Sequence, residues 1–184
     1  RLMAVLLSTA YFPNIQYVSK FLTGDEVKIE IFETYPKQTF RNRCNILSAN
    51  GLLPLSIPVQ KNFHTLAKDI KIDYTENWQR KHSVAIMSAY KNSPFYEYSF
   101  YKLEKVFTSK ETFLVDYNDK LLQAVFSILK VDAKYSFTED FVIDAAGYQD
   151  FRDSISPKAS KNAEDSSFTL KPYIQVFGDR YGFV

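Results

Sequence analysis

The stretch AVLLSTAYFPNIQY, Ala4 to Tyr17, admits two incompatible readings, and the choice between them decides the fold. A preceding arginine, a short apolar run and small residues around Ala10 have the order of a secretory leader. The same letters describe a buried strand that turns into a helix. Arg1 alone is a thin basic region and the apolar run is short, so the strand is the preferred reading, over Met3 to Thr9. Pro13-Asn14 then starts a helix that the Asn14 side chain can cap. Ile15, Val18 and Leu22 fall on one face of it, and Gly24 sits where a left-handed C-terminal cap belongs.

Outward from this unit the chain alternates. In EVKIEIF, Val27, Ile29 and Ile31 interleave with Lys28 and Glu30, the pattern of a half-buried strand. TFRNRCNIL reads as another strand, with Arg41, Arg43 and Asn45 on one face and Cys44 on the other. LPLSIPV carries the alternation through Leu55, Ile57 and Val59, its two prolines favouring an edge or bulge. DIKID adds a short strand. The middle of the chain turns helical. Thr75 is placed to cap a helix that runs to about Lys91, and Ser93-Pro94 to open the next. Tyr96, Phe100, Leu103 and Phe107 follow at core-facing spacing. A third helix carries Leu121, Leu122, Val125, Phe126, Ile128 and Leu129. The segment 153–167, DSISPKASKNAEDSS, is polar and reads as a mobile loop. The expected fold is a single α/β (or α+β) domain over 1–184, with strands in the first third and helices packed on a mixed sheet.

Composition bounds the function. With 184 residues and 46% hydrophobic content the chain can bury a sizeable core. Its net charge of +2 does not mark a nucleic-acid backbone as partner, and no run of eighteen apolar residues marks a membrane span. One cysteine and two histidines do not make a metal cluster, so no metal ligand is assigned. The five glycines form neither a dinucleotide fingerprint nor a P-loop. The sequence names no cofactor and no oligomeric state.

What remains is a set of polar residues in apolar company. TAYFPN joins strand to helix, so Tyr11 and Asn14 can face a ligand at the carboxyl end of a strand, or form a turn with a buried ring. Arg41 and Arg43 on one strand face could grip a phosphate or carboxylate; a solvated face accounts for them equally well. In NWQRKHSVAIMSAY, Trp78, His82 and Ile86 are spaced i, i+4, i+8, which sets His82 on the apolar seam. A histidine there is either an acid–base group or a hydrogen-bonded residue at the edge of the core. Lys81 can reach an anion or cover the helix with its stem. Cys44 reads as a packed thiol, and His64 as a surface residue without a role. The aromatics from Tyr90 to Tyr101 are dense enough for sugar stacking, but helical spacing assigns several to the core.

LLSTAYFPNIQY, FRNRCNIL, LPLSIPV, NWQRKHSVAIMSAYKNSPFYE and YIQVFG, in this order, resemble the WbqC-like protein family. The family pattern maps onto Tyr11, Phe12, Pro13 and Tyr17, onto Arg41, Asn42 and Arg43, and onto Trp78, Lys81, His82 and Tyr90. The resemblance implies an association with bacterial surface polysaccharide of the O-antigen type, and a transferase that modifies a nucleotide-linked amino sugar. Thr9-Ala10 stand where the family has Gln-Pro, and Phe32-Glu33 where it has paired aspartates. The pattern also continues past Val184, which implies a chain incomplete at its C-terminus. On this basis His82 and Glu33 are the candidate catalytic residues of a cytoplasmic protein. Tyr11, Asn14, Arg41, Asn42, Arg43, Trp78 and Lys81 are the candidate contacts for a nucleotide-sugar or amino-sugar ligand. A non-catalytic accessory or ligand-binding protein of glycan assembly is the alternative.

Overall fold

In the computed structural model, which describes residues 3–36, 39–60, 64–157 and 165–184, Ala4–Ser8 forms β1 in the interior of a sheet. Val27–Glu30 (β2) and Tyr148–Asp150 (β8) pair with it on either side, and Tyr135–Phe137 (β7) lies beyond β2. Every pairing is parallel, with Val5 opposite both Val27 and Gln149. An inner strand of a parallel sheet is covered on both faces, which is why Val5, Leu6 and Leu7 are all apolar and all buried. The opening stretch is thus a built-in strand. Only β1 and β2 of this sheet lie in the first third of the chain; β7 and β8 were not recognised in the sequence because three-residue strands show almost no periodicity.

Ile15–Ser19 (α1) leads from β1 towards β2 and is continued by a 3-10 turn at Lys20–Leu22. The Asn14 side chain caps it by accepting from Tyr17 N at 2.8 Å, and Gly24 adopts φ +81° as expected. The buried face differs from the expected one. Tyr17, Lys20 and Phe21 point inward and Val18 packs beside them, while Ile15 and Leu22 are exposed.

Among the described residues two antiparallel ribbons form, Arg43–Ser48 (β3) with Gly51–Ser56 (β4) and Val59–Gln60 (β5) with Lys71–Ile72 (β6), besides isolated bridges at Thr34 with Leu66 and Lys71 with Phe113. The chain is therefore α/β, its parallel and antiparallel pairings in separate sheets. Arg41 falls in the turn before β3 rather than on the strand, so Arg41 and Arg43 do not share a face. Trp78–Tyr90 (α2) is capped by Asn77, which accepts from Arg80 N. Thr75 is not the cap; its own N–H donates to Asp73 in a preceding turn. Nor does Pro94 open the next helix. Ser93 Oγ donates to Tyr90 O at the end of α2, and Tyr96–Phe107 (α3) begins one residue after Phe95, which has φ 60°. Leu114–Leu129 (α4) joins the two halves of the interior. Its Leu122 and Phe126 pack with Val5, Leu7 and Ile29 of the parallel sheet, whereas Leu114, Tyr117 and Leu121 pack with Ile57, Ile70 and Trp78. Leu129 ends the helix exposed, outside the apolar stripe. Gly178–Tyr181 (α5) is short, and Arg180 and Tyr181 both donate to Ala49 O.

Of the mobile loop expected over 153–167, residues 158–164 lie outside the described residues. Asp165, at its far end, is held. It accepts hydrogen bonds from Lys20, from Gln16 at 3.0 Å and from Ser167. Lys20 is buried at 1% exposure, its amine 4.1 Å from the centre of the Phe151 ring. A buried lysine needs a partner, and Asp165 supplies the charge.

Candidate functional site

A cleft of about 530 Å³ opens where β1 and β8 end, against the inner face of α3. Its floor is polar: Ser8 and Thr9 leave β1 there, Arg152 follows β8, and Arg41 enters from the turn before β3. Its walls are aromatic and aliphatic, with Phe12 and Phe40 on one side, Tyr90, Tyr96 and Phe100 on another, and Phe151 near the sheet. Asn14, Asn45 and Ser99 add polar atoms around the rim. A concave site at the carboxyl ends of parallel strands is where open α/β sheets collect ligands.

The floor is a connected set of hydrogen bonds. Arg41 is 5% exposed and binds Glu33 with two parallel contacts, Nε to Oε1 at 2.6 Å and Nη2 to Oε2 at 2.7 Å. The same Nη2 donates to Ser8 Oγ at 2.6 Å and to Arg152 O at 3.3 Å. Asn118 of α4 donates to Thr9 Oγ1 at 3.0 Å and to Arg41 O at 2.8 Å, which fixes the turn that carries Arg41. Beyond it, Glu30 is fully buried and accepts from Phe32 N, Thr138 Oγ1, Val142 N and Arg152 Nη1. Arg152 is also held by Asp150. Both cleft arginines therefore arrive with carboxylates already attached. The floor has well-ordered donors and acceptors but no surplus of positive charge, which weakens it as a grip for a diphosphate.

His82 and Tyr11 form a second buried pair, and neither lines the cleft. The Tyr11 hydroxyl is 2.8 Å from His82 Nδ1, and the Ser56 backbone lies near the ring. The direction of the Tyr11–Nδ1 bond follows the tautomer of the ring. Burial, reinforced by the Lys81 charge, pushes the imidazole down to about 4 despite the opposing Ser56 backbone, so the ring is neutral at pH 7. Burial likewise raises the Tyr11 phenol well above its usual value.

The candidate residues do not converge. Arg41 and Asn14 line the cleft, and Glu33 stands behind Arg41 with its carboxylate spent on that pair. Trp78 is 2% exposed in the core, with its ring against Tyr74, His82 and Tyr117. Asn42 donates to Ile57 O and accepts from Ile57 N, closing the end of the β3–β4 ribbon. Arg43 is turned to Ser56 Oγ at 2.9 Å across that ribbon. Lys81 is largely exposed and paired with Glu76. Cys44 reaches the edge of the cleft, but burial pushes its thiol up to about 12, leaving it unreactive at neutral pH. Sequence reasoning missed Ser8, Thr9, Phe40 and Arg152. Ser8 and Thr9 are within reach of the sequence, since they close the apolar run of the first strand. Arg152 is not, because β8 is not recognisable there. Of the aromatics from Tyr90 to Tyr101, Tyr90, Tyr96 and Phe100 are half-buried walls of the cleft, and Phe95, Tyr98 and Tyr101 face solvent.

No solved structure gives a significant match to the chain. The uncharacterized protein Rv1507c of Mycobacterium tuberculosis is 28% identical over 134 residues, which is 71% of this chain and 55% of that protein. The chain thus spans about half the length of this curated relative. A model of the WbqC-like protein family matches residues 9–163, a span that includes the Thr9, Arg41, Tyr96 and Arg152 of the cleft. By that match the chain belongs to the WbqC-like protein family.

Proposed function

We infer that the chain binds the sugar end of an amino-sugar precursor of a bacterial surface polysaccharide, nucleotide-linked or free, in the cleft between the parallel sheet and α3. The observation that carries this reading is the lining itself: aromatic walls over a hydrogen-bonded floor whose charges are already balanced. A pyranose presents apolar faces to rings and hydroxyls to polar groups at its rim, and the volume falls in the range of small-molecule sites. Arg41 positions Ser8 and, through Nη1, which has no hydrogen-bond partner among the described residues, can donate to the ligand. Asn45 and Asn14 offer further polar contacts at the rim, although the Asn14 side-chain oxygen is committed to its cap.

Between the two readings of function, the cleft favours a ligand-binding component of glycan assembly over a transferase that uses His82 and Glu33. His82 is neutral, bonded to Tyr11 through Nδ1 and outside the cleft, and the Glu33 carboxylate is bound to Arg41. A cytoplasmic location belongs to the same proposal. The test is thermal unfolding of the chain with a nucleotide-linked amino sugar, the corresponding free sugar and the parent nucleotide. The sugar-bearing compounds should stabilise the fold, by about 2.7 kcal/mol at a hundredfold excess over Kd, and the nucleotide alone should not. Phe100→Ala should weaken the sugar-dependent shift about tenfold in affinity by removing one stacking wall. Stabilisation by the nucleotide alone, or by none of the three, would overturn the reading.

A further inference from the structure

α3 has two working faces. Tyr96, Phe100 and Leu103 look into the cleft, and the opposite side presents Tyr98 and Tyr101 to solvent at 45% and 62% exposure. Phe95, just before the helix, is 82% exposed and held at φ 60°, a conformation that costs a bulky residue free energy. Nothing inside the fold is gained by that ring, since it stands in water. Lysines alternate with these aromatics. Successive helical residues are about 100° apart, which sets Tyr101, Lys105, Tyr98 and Lys102 within roughly one third of the circumference. Lys102 lies 4.6 Å from the Tyr98 ring centre and Lys105 lies 5.0 Å from that of Tyr101. The Tyr98 phenol is drawn below its usual value by a hydrogen bond from Lys102 and the charges of Lys102 and Lys130, which adds Lys130 at the end of α4 to the same patch. Glu97 and Glu104 fall together on one flank of this face and leave its centre cationic.

We propose that this aromatic and basic outer face of α3 docks the protein on an anionic membrane surface. Tyrosine and phenylalanine rings rest at the level of lipid headgroups, and lysines beside them are attracted to the negative surface potential. A bilayer satisfies both halves of the patch, the rings and the fixed positive charge. A second copy of the chain would place like charges face to face. Because the same helix walls the cleft with its other side, docking brings the cleft close to the lipid surface. The inference stands on the outer face alone and does not depend on what the cleft binds.

Sedimentation of the chain with phosphatidylcholine vesicles, with and without phosphatidylglycerol, tests it. Binding should require phosphatidylglycerol and should fall as salt rises. Lys105→Glu with Lys130→Glu should weaken it at least about tenfold, since each basic residue contributes about 1 kcal/mol at such a surface. Lys102 is left in place because it also donates to Ser127 O and Oγ. Phe95→Ser provides a second variant, which should weaken binding while leaving the unfolding temperature unchanged or raised. Equal binding to neutral and anionic vesicles, or no binding at all, would overturn the proposal. So would the discovery that the lysine variants disperse a concentration-dependent dimer on gel filtration and leave vesicle binding unaltered.

Discussion

Arg41 and His82 are both titratable, both less than a tenth exposed, and both held by named hydrogen bonds, yet only one of them reaches the cleft. His82 spends Nδ1 on Tyr11 and its ring lies outside the cleft, so it offers nothing to a ligand there. Arg41 uses Nε and Nη2 on Glu33, Ser8 and Arg152 O and keeps Nη1. The difference teaches that burial of a polar group does not separate a site from a core. What separates them is whether donors or acceptors remain once the fold has taken its share. In energetic terms the two pairs also differ, since one is an ion pair and the other a neutral hydrogen bond.

The largest effect expected follows from that last difference. Arg41→Met leaves the Glu33 carboxylate buried without its counter-charge, and Ser8 loses a donor. The loss should be about 3–5 kcal/mol, read as a lower midpoint in urea denaturation. Adding Glu33→Leu to the same chain removes the stranded charge and should restore most of the stability. If the single variant cost less than the loss of an exposed pair, the floor of the cleft would have to be wetter than its burial indicates.

On the His82 side, the prediction is one of pH. The ring titrates near 4 in the folded chain against about 6.5 when unfolded, so the unfolded state binds more protons between those values. Its contribution is fully present above about 6.5 and is lost as pH falls towards 4, by about 2 kcal/mol between pH 7 and pH 5. Denaturation midpoints at pH 7 and pH 5 measure the slope, and His82→Gln should flatten it. Tyr11→Phe removes the partner of Nδ1 and should cost about 1–2 kcal/mol at pH 7.

Both sides were partly legible in the sequence. The strand–turn–helix unit was, because a short apolar run followed by Pro13-Asn14 carries its own signals, and Asn14 caps as those signals require. Placing His82 on an apolar seam was also sound, since Trp78, His82 and Ile86 are all buried on α2. That spacing could not show that Tyr11 would cross 71 residues of sequence to occupy Nδ1. Arg41 and Arg43 look like a strand pair because they alternate, and only the start of β3 at Arg43 separates them. The floor was the least legible part. Ser8, Glu33, Arg41 and Arg152 come from four segments, brought together by a parallel sheet whose outer strands are too short to announce themselves.

A smaller effect sits between the two regions, at the anchor behind Phe151. Burial alone would raise the Asp165 carboxyl, but hydrogen bonds from Gln16, Lys20 and Ser167, with the Lys20 charge, outweigh it and hold the group at about 2. A carboxyl depressed on folding stabilises above its unfolded value of 3.8 and loses that contribution as pH falls towards 2. This window lies below that of His82, so an acid titration of stability should descend in two steps. Asp165→Asn should remove the lower step and cost about 2 kcal/mol at pH 7, since both side chains are shielded from water.

The smallest effect expected decides what Lys81 does. As a ligand contact it would have to enter the cleft, yet it stands exposed on the far side of α2 with Glu76. Its one connection to the buried pair is through its field, which helps hold the His82 ring neutral. Lys81→Met should therefore change stability by less than about 0.5 kcal/mol and leave sugar binding unaltered. It should also let the His82 ring titrate at a slightly higher pH, because a like charge has been removed. Imidazole proton resonances followed from pH 7 to pH 4 would record that rise. A loss of ligand affinity with no movement of the His82 titration would return Lys81 to the binding site and draw α2 into the cleft with it.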